Sequence, residues 1–281
     1  MKLCRYGKPG YEKPGMIDGE GKLRDLSKIV DNLGPNEISP RGLKMLTRVK
    51  PESLPLVNGT PRYGVPYVGI GKFVAIGLNY SDHAKEAGLP IPQEPIVFMK
   101  ATTCISGPGD DVIQPRNSTK LDWEVELGVV IGTTARYVDE EWALNHVAGY
   151  CIVNDVSERS FQMATTQWDK GKGFDTAGPI GPWLVTTDEI RDPQMLDMKL
   201  EVNGRTMQSG NTRTMVFNVA KLISHVSQYM TLLPGDVIAT GTPPGVGLGM
   251  KPPVFLKPGD VMRLTIAGLG EQNQRVVAYS A

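Results

Sequence analysis

Short apolar runs broken by turn residues dominate the chain, and their length and β-branched content suit strands better than helices. Phe73 to Gly77, Ile96 to Lys100, Trp123 to Ile131, Gly149 to Val156, Trp183 to Thr186, Met198 to Val202, Asp236 to Thr240 and Val261 to Ile266 each predict a strand. Leu3 to Tyr6 and Gly15 to Ile17 add two short extended segments near the start, interrupted by Gly10, Pro14 and Asp18-Gly19. Helical periodicity is scarce. Val219 to Met230 carries it most clearly, and Leu26, Ile29, Val30 and Leu33 repeat it behind a capping Asp25 and ahead of Gly34-Pro35. Asn79 to Gly88 follows a strand and has a polar cap at one end and a Gly stop at the other, so it predicts a short polar helix. So much strand with so few helices excludes a regularly alternating α/β barrel or Rossmann arrangement and predicts a β-rich α+β fold. Arg48 to Pro66 is rich in Pro and Gly and lacks periodicity, which predicts a boundary there: a small N-terminal unit over residues 1–65 and a main unit over residues 66–281.

The main unit concentrates the candidate chemistry. In Asp122-Trp123-Glu124-Val125-Glu126-Leu127, strand alternation puts Glu124 and Glu126 on one face and Trp123, Val125 and Leu127 on the other. Adjacent carboxylates repel unless a divalent cation, a shared proton or solvent relieves them, and a solvated strand face is the plain alternative. Val129-Val130-Ile131 continues without polar relief and makes this a central strand. Asp155 ends the apolar run from Gly149, where it either joins the two glutamates or caps a following helix. Three carboxylates without His or Cys would make an all-oxygen site, which suits Mg²⁺, Mn²⁺ or Ca²⁺ better than zinc or copper.

Of three histidines, His83 alone has an acidic neighbour at helical i,i+3 spacing, Glu86, able to orient an imidazole as a general base. His146 and His225 are expected to be structural. Asp169 to Pro179 reads as a loop carrying Lys170 and Lys172. Pro234 to Gly247 reads as a strand entering a Gly-rich turn, whose amides and Thr242 hydroxyl can hold a carboxylate. That turn lacks the ending of a phosphate loop, and Gly245-x-Gly247-x-Gly249 lacks dinucleotide spacing.

Charge narrows the partner. Lys plus Arg and Asp plus Glu balance at 30 each, so neither nucleic acid nor an anionic membrane is attracted, and a small molecule is the expected partner. Three cysteines with no C-x-x-C pair encode no disulfide framework or zinc knuckle, and no apolar run approaches the ~18 residues of a membrane span, so a cytoplasmic protein is expected.

In order along the chain, Gly77-x-Asn79-Tyr80-x-x-His83-x-x-Glu86, Glu124-x-Glu126-Leu127, Asp155-x-x-x-Arg159-x-x-Gln162, Lys172-x-Phe174, Val202-Asn203-Gly204, Pro234-Gly235-Asp236 and Thr240-Gly241-Thr242-Pro243-x-Gly245-Val246-Gly247 resemble the fumarylacetoacetate hydrolase family from about Phe73 onward. Met99-Lys100-Ala101 departs from the family's usual Leu-Lys-Pro. The resemblance implies a mixed β-roll, a homodimer or homotetramer, and Glu124, Glu126 and Asp155 as ligands of Mg²⁺ or Mn²⁺. It further implies His83 and Glu86 as a base dyad on a lid, Lys172 as a cation beside the reacting centre, and Arg159, Gln162 and Thr242 in the substrate pocket. The implied activity is hydrolysis of a carbon–carbon bond in a 2,4-dioxo acid to release pyruvate. Gln167 to Asp175 and Gly268 to Gln272 most resemble members acting on sugar acids, with 2,4-diketo-3-deoxy-L-rhamnonate, cleaved to pyruvate and L-lactate, as the implied substrate. Oxaloacetate decarboxylation, isomerisation or hydration of a 2-oxo acid, and non-catalytic binding of a small ligand are the alternatives.

Overall fold

The computed structural model describes residues 1–280. The most continuously apolar segments lie side by side at the centre of a ten-stranded mixed sheet. Its order is β3 (Leu23–Asp25), β2 (Lys13–Ile17), β1 (Lys2–Tyr6), β12 (Gly178–Thr186), β10 (Val147–Asn154), β9 (Val125–Ile131), β15 (Val237–Ala239), β4 (Phe73–Gly77) and β5 (Ile96–Lys100), with β6 (Ile105–Ser106) paired parallel to β12. Every residue of β9 is buried, as is all of β10 except its first residue, so neither strand has a solvent face that polar alternation could mark. A five-stranded sheet packs against them, in the order β14 (Arg205–Asn211), β13 (Asp197–Val202), β16 (Val261–Ile266), β17 (Gly270–Ala278) and β7 (Val112–Gln114). Asn203 and Gly204, at φ 51° and 77°, make the two-residue turn between β13 and β14, a conformation these two residue types adopt readily.

The N-terminal segment shares both sheet and core with the rest of the chain. β1 pairs antiparallel with β12, and Leu3, Met16, Leu26 and Leu33 belong to the same apolar cluster as Val129 and Ile152. The helix expected over Leu26 to Leu33 does not form. Asp25 instead accepts from Ser27 N at 2.8 Å, closing a local turn, and Leu26 and Leu33 are buried while Ile29 is exposed. The helix of this region is α1 (Pro40–Leu46), started by Pro40 and by Ser39, whose hydroxyl accepts from Gly42 N.

Two further elements place the site. α2 (Ser81–Ala87) ends at Gly88 in the left-handed conformation, φ 66°. α5 (Val219–Tyr229) is capped by Asn218 and buries Val219, Leu222, Ile223 and Val226 at helical spacing. Among the described residues no helix is long and apolar enough to cross a membrane.

Candidate metal centre and catalytic dyad

Antiparallel pairing of β9 with β10 sets Val125 opposite Asn154, and Asp155 N then donates to Glu124 O at 2.9 Å just beyond the paired stretch. A two-stranded ladder of β8 (Leu121–Asp122) and β11 (Ser157–Glu158) clamps the same two chain segments on the far side. Glu124, Glu126 and Asp155 are thereby brought together, each offering a carboxylate oxygen within 4.8 Å of the others, and all three are buried.

Buried like charges at this separation need compensation. Lys172 Nζ donates to Glu124 Oε2 and Asp155 Oδ2, both at 2.7 Å. Lys100 Nζ donates to Asp155 Oδ1 at 2.6 Å and to the Lys172 carbonyl. Arg159 Nη2 meets Glu124 Oε1 at 2.6 Å, and its Nε meets Asp122 Oδ2 at 2.8 Å. Glu126 has no cation of its own and accepts only from Gly241 N at 2.8 Å. The two glutamates separate accordingly. Burial raises the Glu124 carboxyl, but the charges of Lys172 and Arg159 outweigh it and hold the group well below the usual carboxylate range. Burial, reinforced by Asp155 and Glu124, pushes Glu126 well above that range. For Lys172, burial opposes the charge, yet Asp155 and Glu124 more than offset it, so this amine is a firm cation and not a base.

Three convergent carboxylates, one of them short of positive charge, fit a hard divalent cation, and nothing in the donor set favours Mg²⁺ over Mn²⁺. Because burial and the neighbouring Asp155 and Glu124 raise the Glu126 carboxyl and a ligand must be ionised, an ion competes with a proton at this group. Affinity should therefore rise with pH until the raised Glu126 group is ionised. Calorimetric titration with Mg²⁺ across a range of pH, in two buffers of different ionisation enthalpy, reads this directly. Identical heats in both buffers, or a wild-type difference persisting in Glu126→Gln, would contradict it.

A cavity of about 590 Å³ opens over this cluster, lined by Glu124, Glu126, Arg159, Gln162, Lys172 and Thr242 on one side and by His83 and Glu86 on another. Asp155 lies beneath the surface, behind the ammonium groups of Lys100 and Lys172. On α2, His83 Nδ1 meets Glu86 Oε2 at 2.9 Å, and Glu86 Oε1 accepts from Gly245 N at 2.9 Å, so the Gly-rich turn fixes the carboxylate that fixes the imidazole. Asn79 anchors the base of the helix, accepting from Phe217 N and donating to Thr240 O, both at 2.8 Å. At the two ends of α3 (Arg159–Gln162), Gln162 Oε1 accepts from Arg159 Nη1 at 3.0 Å. Thr242 Oγ1 donates to Val125 O at 2.9 Å and accepts from Gln208 Nε2 at 2.8 Å.

His146 lies against Thr133 O and His225 packs on Tyr229, and neither lines the cavity. The expected loop at Lys172 is in fact a turn of helix, α4 (Asp169–Lys172), with the lysine buried beneath it. Two structural partners of the cluster, Lys100 and Asp122, do not stand out from the sequence. A lone lysine closing the apolar Ile96 to Met99 run, and an aspartate two positions before Glu124, are the available signals.

The family model described as fumarylacetoacetate (FAA) hydrolase C-terminal matches residues 72–277. A protein of Burkholderia ambifaria, whose name goes no further than hydrolase, is 61% identical over 98% of each chain. The crystallised fumarylacetoacetate hydrolase of the psychrophile Exiguobacterium antarcticum is 38% identical, with a TM-score of 0.89 over 99% of this chain and 100% of its own. Maleylpyruvate hydrolase of Sphingobium sp. SYK-6, solved with manganese(II) and pyruvate, is 30% identical, with a TM-score of 0.83 over the full length of both chains. With the family model matching residues 72–277, most of its length, this chain belongs to the fumarylacetoacetate hydrolase family.

Proposed function

We propose that the protein hydrolyses the C3–C4 bond of a 2,4-dioxo acid, releasing pyruvate and a second carboxylic acid. The observation that carries this is the facing of two kinds of group across one cavity: the acidic cluster at Glu124, Glu126 and Asp155, and the His83–Glu86 pair. A divalent ion held by the three carboxylates would supply a Lewis acid for the carboxylate and 2-oxo end of the substrate. His83, its Nδ1 engaged by Glu86, presents Nε2 as the base that takes a proton from the attacking water. The water oxygen bonds to C4, the C3–C4 bond breaks, and C3 takes up a proton to become the methyl group of pyruvate. Lys172 and Arg159, cationic beside the cluster, favour the negative charge that gathers at that end, and Arg159, Gln162 and Thr242 are assigned to hold the substrate. Glu124 and Glu126 are occupied as acceptors and are not assigned as bases.

The Sphingobium relative, crystallised with manganese and pyruvate, supports both the ion and the product. Family resemblance likewise supports a cytoplasmic homodimer or homotetramer. The deoxy sugar acid implied by the sequence, 2,4-diketo-3-deoxy-L-rhamnonate, satisfies the chelating half of this scheme, and its acyl half is a two-carbon hydroxylated tail. Assay of the purified protein with Mg²⁺ or Mn²⁺ against acylpyruvates, this sugar acid and oxaloacetate tests the proposal. Stoichiometric pyruvate and carboxylic acid from the dioxo acids are expected. Decarboxylation of oxaloacetate or isomerisation of the dioxo acids, without cleavage, would displace it.

A further inference from the structure

The geometry points to a hydrophobic acyl subsite, built around Trp168, that selects 2,4-dioxo acids with an extended apolar tail over short or hydroxylated ones. This rests on the hydrolytic reaction just proposed and names the part of the substrate which that reaction leaves open.

The subsite starts at the reacting centre. Lys172 Nζ lies 5.2 Å from the centroid of the Phe98 ring, and Phe98 meets Trp168 edge-on with centroids 5.3 Å apart. An unbroken path therefore leads from the acidic cluster to the indole. Gly77, at the end of β4, makes room for it. A Cβ there would stand 2.5 Å from Trp168 Cζ3, so any larger residue would drive the indole from this wall. Leu248 and Met250 line the cavity beside the dyad, flanking Gly249, where a Cβ would stand 2.8 Å from Glu86 Cδ, and the exposed Leu89 and Met163 line it too.

Polarity falls away along this path. Once the cluster, its flanking Arg159, Gln162 and Thr242, and the dyad are set aside, the lining contains no Ser, Thr, Asn, Gln, Asp or Glu side chain. Its polar side-chain groups are the exposed Lys251 ammonium and the Trp168 indole N–H. Leu89, Met163 and Leu248 stand 50%, 54% and 37% exposed around the mouth, apolar surface with nothing over it that a matching tail would cover. Burying a tail hydroxyl here costs hydration with little return, whereas each buried methylene gains.

Size agrees with polarity. A dioxo acid of about a dozen non-hydrogen atoms, at a water molecule's share of roughly 30 Å³ each, fills on the order of 350 Å³. The cavity holds about 590 Å³. The difference leaves room for a longer alkyl or aryl acyl group against the apolar part of the lining.

A series of acetyl-, butanoyl-, hexanoyl- and benzoylpyruvate, together with the hydroxylated six-carbon sugar acid, tests the subsite in the Mg²⁺-loaded enzyme. kcat/KM is expected to climb about fourfold per added methylene, reaching on the order of 10² from acetyl to hexanoyl, with the hydroxylated acid near the acetyl compound. Trp168→Ala should cut the hexanoyl-to-acetyl ratio by ~10-fold or more. Leu89→Ser, at a half-exposed position that does not endanger folding, should lower the same ratio by a smaller factor. If no acylpyruvate is cleaved at all, the hydrolytic reaction itself is wrong. Cleavage with equal or better kcat/KM for the short or hydroxylated tails overturns the subsite while leaving the reaction standing. An apolar preference that both variants leave intact overturns it equally.

Discussion

His83→Ala is expected to lower kcat for dioxo-acid hydrolysis by ~10²–10⁴, the usual worth of a positioned general base, while Mg²⁺ affinity stays close to that of the wild type. The two effects separate because the imidazole and the carboxylates belong to different elements. His83 rides on α2, tied down through Asn79 and through the Glu86 contact with Gly245, whereas Glu124 and Asp155 are fixed by the pairing of β9 with β10. Removing the ring leaves the acidic cluster and its three cations untouched. The variant should thus retain slow exchange of the pyruvate methyl protons, which depends on the cluster, and Glu124→Gln should lose hydrolysis and exchange together. Glu86→Gln provides a graded companion. Its amide can still meet Gly245 N only if its oxygen faces that way, which turns the NH₂ toward His83 and costs the imidazole its anionic partner. Its kcat should fall, though less than in His83→Ala. Near-wild-type hydrolysis by His83→Ala would exclude the dyad as the water-activating base. Lys172, held as a cation by Asp155 and Glu124, would be a poor replacement.

The parts of this molecule that were legible in the sequence are those where side chains state their environment. β9 reads as a central strand because its apolar run has no polar relief, and it is central, beside the apolar strand β10. The spacing of Glu124 and Glu126 survives because two carboxylates on one strand face remain neighbours whatever packs around them. β17 was illegible for the opposite reason. Its inward positions include Gln272 and Gln274, both fully buried, which spend their amides on backbone carbonyls: Gln272 on Ile152 and Gly181, Gln274 on Pro108. A strand whose buried face holds two glutamines and a single valine, Val276, carries little apolar alternation to detect. β14, polar along most of its length, was hidden likewise, although the Asn203-Gly204 turn ahead of it announces a hairpin. The failed helix at Leu26 to Leu33 shows the converse error, since apolar residues at helical spacing need only reach a common core, and an irregular chain achieved that. The pairing of Lys100 with Asp155 and the burial of Lys172 were not legible, because a buried lysine is intelligible only beside the carboxylate that keeps it charged, and Asp155 is distant from both in sequence.

Asp155→Asn and Glu126→Gln should both weaken Mg²⁺ binding, yet only the first should damage folding. Asp155 faces two ammonium groups, Lys100 at 2.6 Å and Lys172 at 2.7 Å, in a region where the lysine side chains are 0% and 3% exposed. Neutralising it leaves two buried ammonium groups facing one neutral amide, whose oxygen can accept from only one of them while its NH₂ meets the other, and breaking a buried pair from one side typically costs ~3–5 kcal/mol. Glu126 is paired with no cation, and burial with Asp155 and Glu124 already disfavours its charged form, so glutamine replaces it nearly isosterically and can still accept from Gly241 N. Its stability in denaturant, measured with a chelator present, should remain within about 1 kcal/mol of the wild type. Lys100→Met checks the assignment of cause. It removes the stranded charge with similar volume, so Lys100→Met combined with Asp155→Asn should recover part of the stability lost in Asp155→Asn alone, as a coupled pair requires, without restoring the metal site. Equal destabilisation by Asp155→Asn and Glu126→Gln, or strict additivity of the double variant, would show that the charge balance around Asp155 does not hold the cluster together.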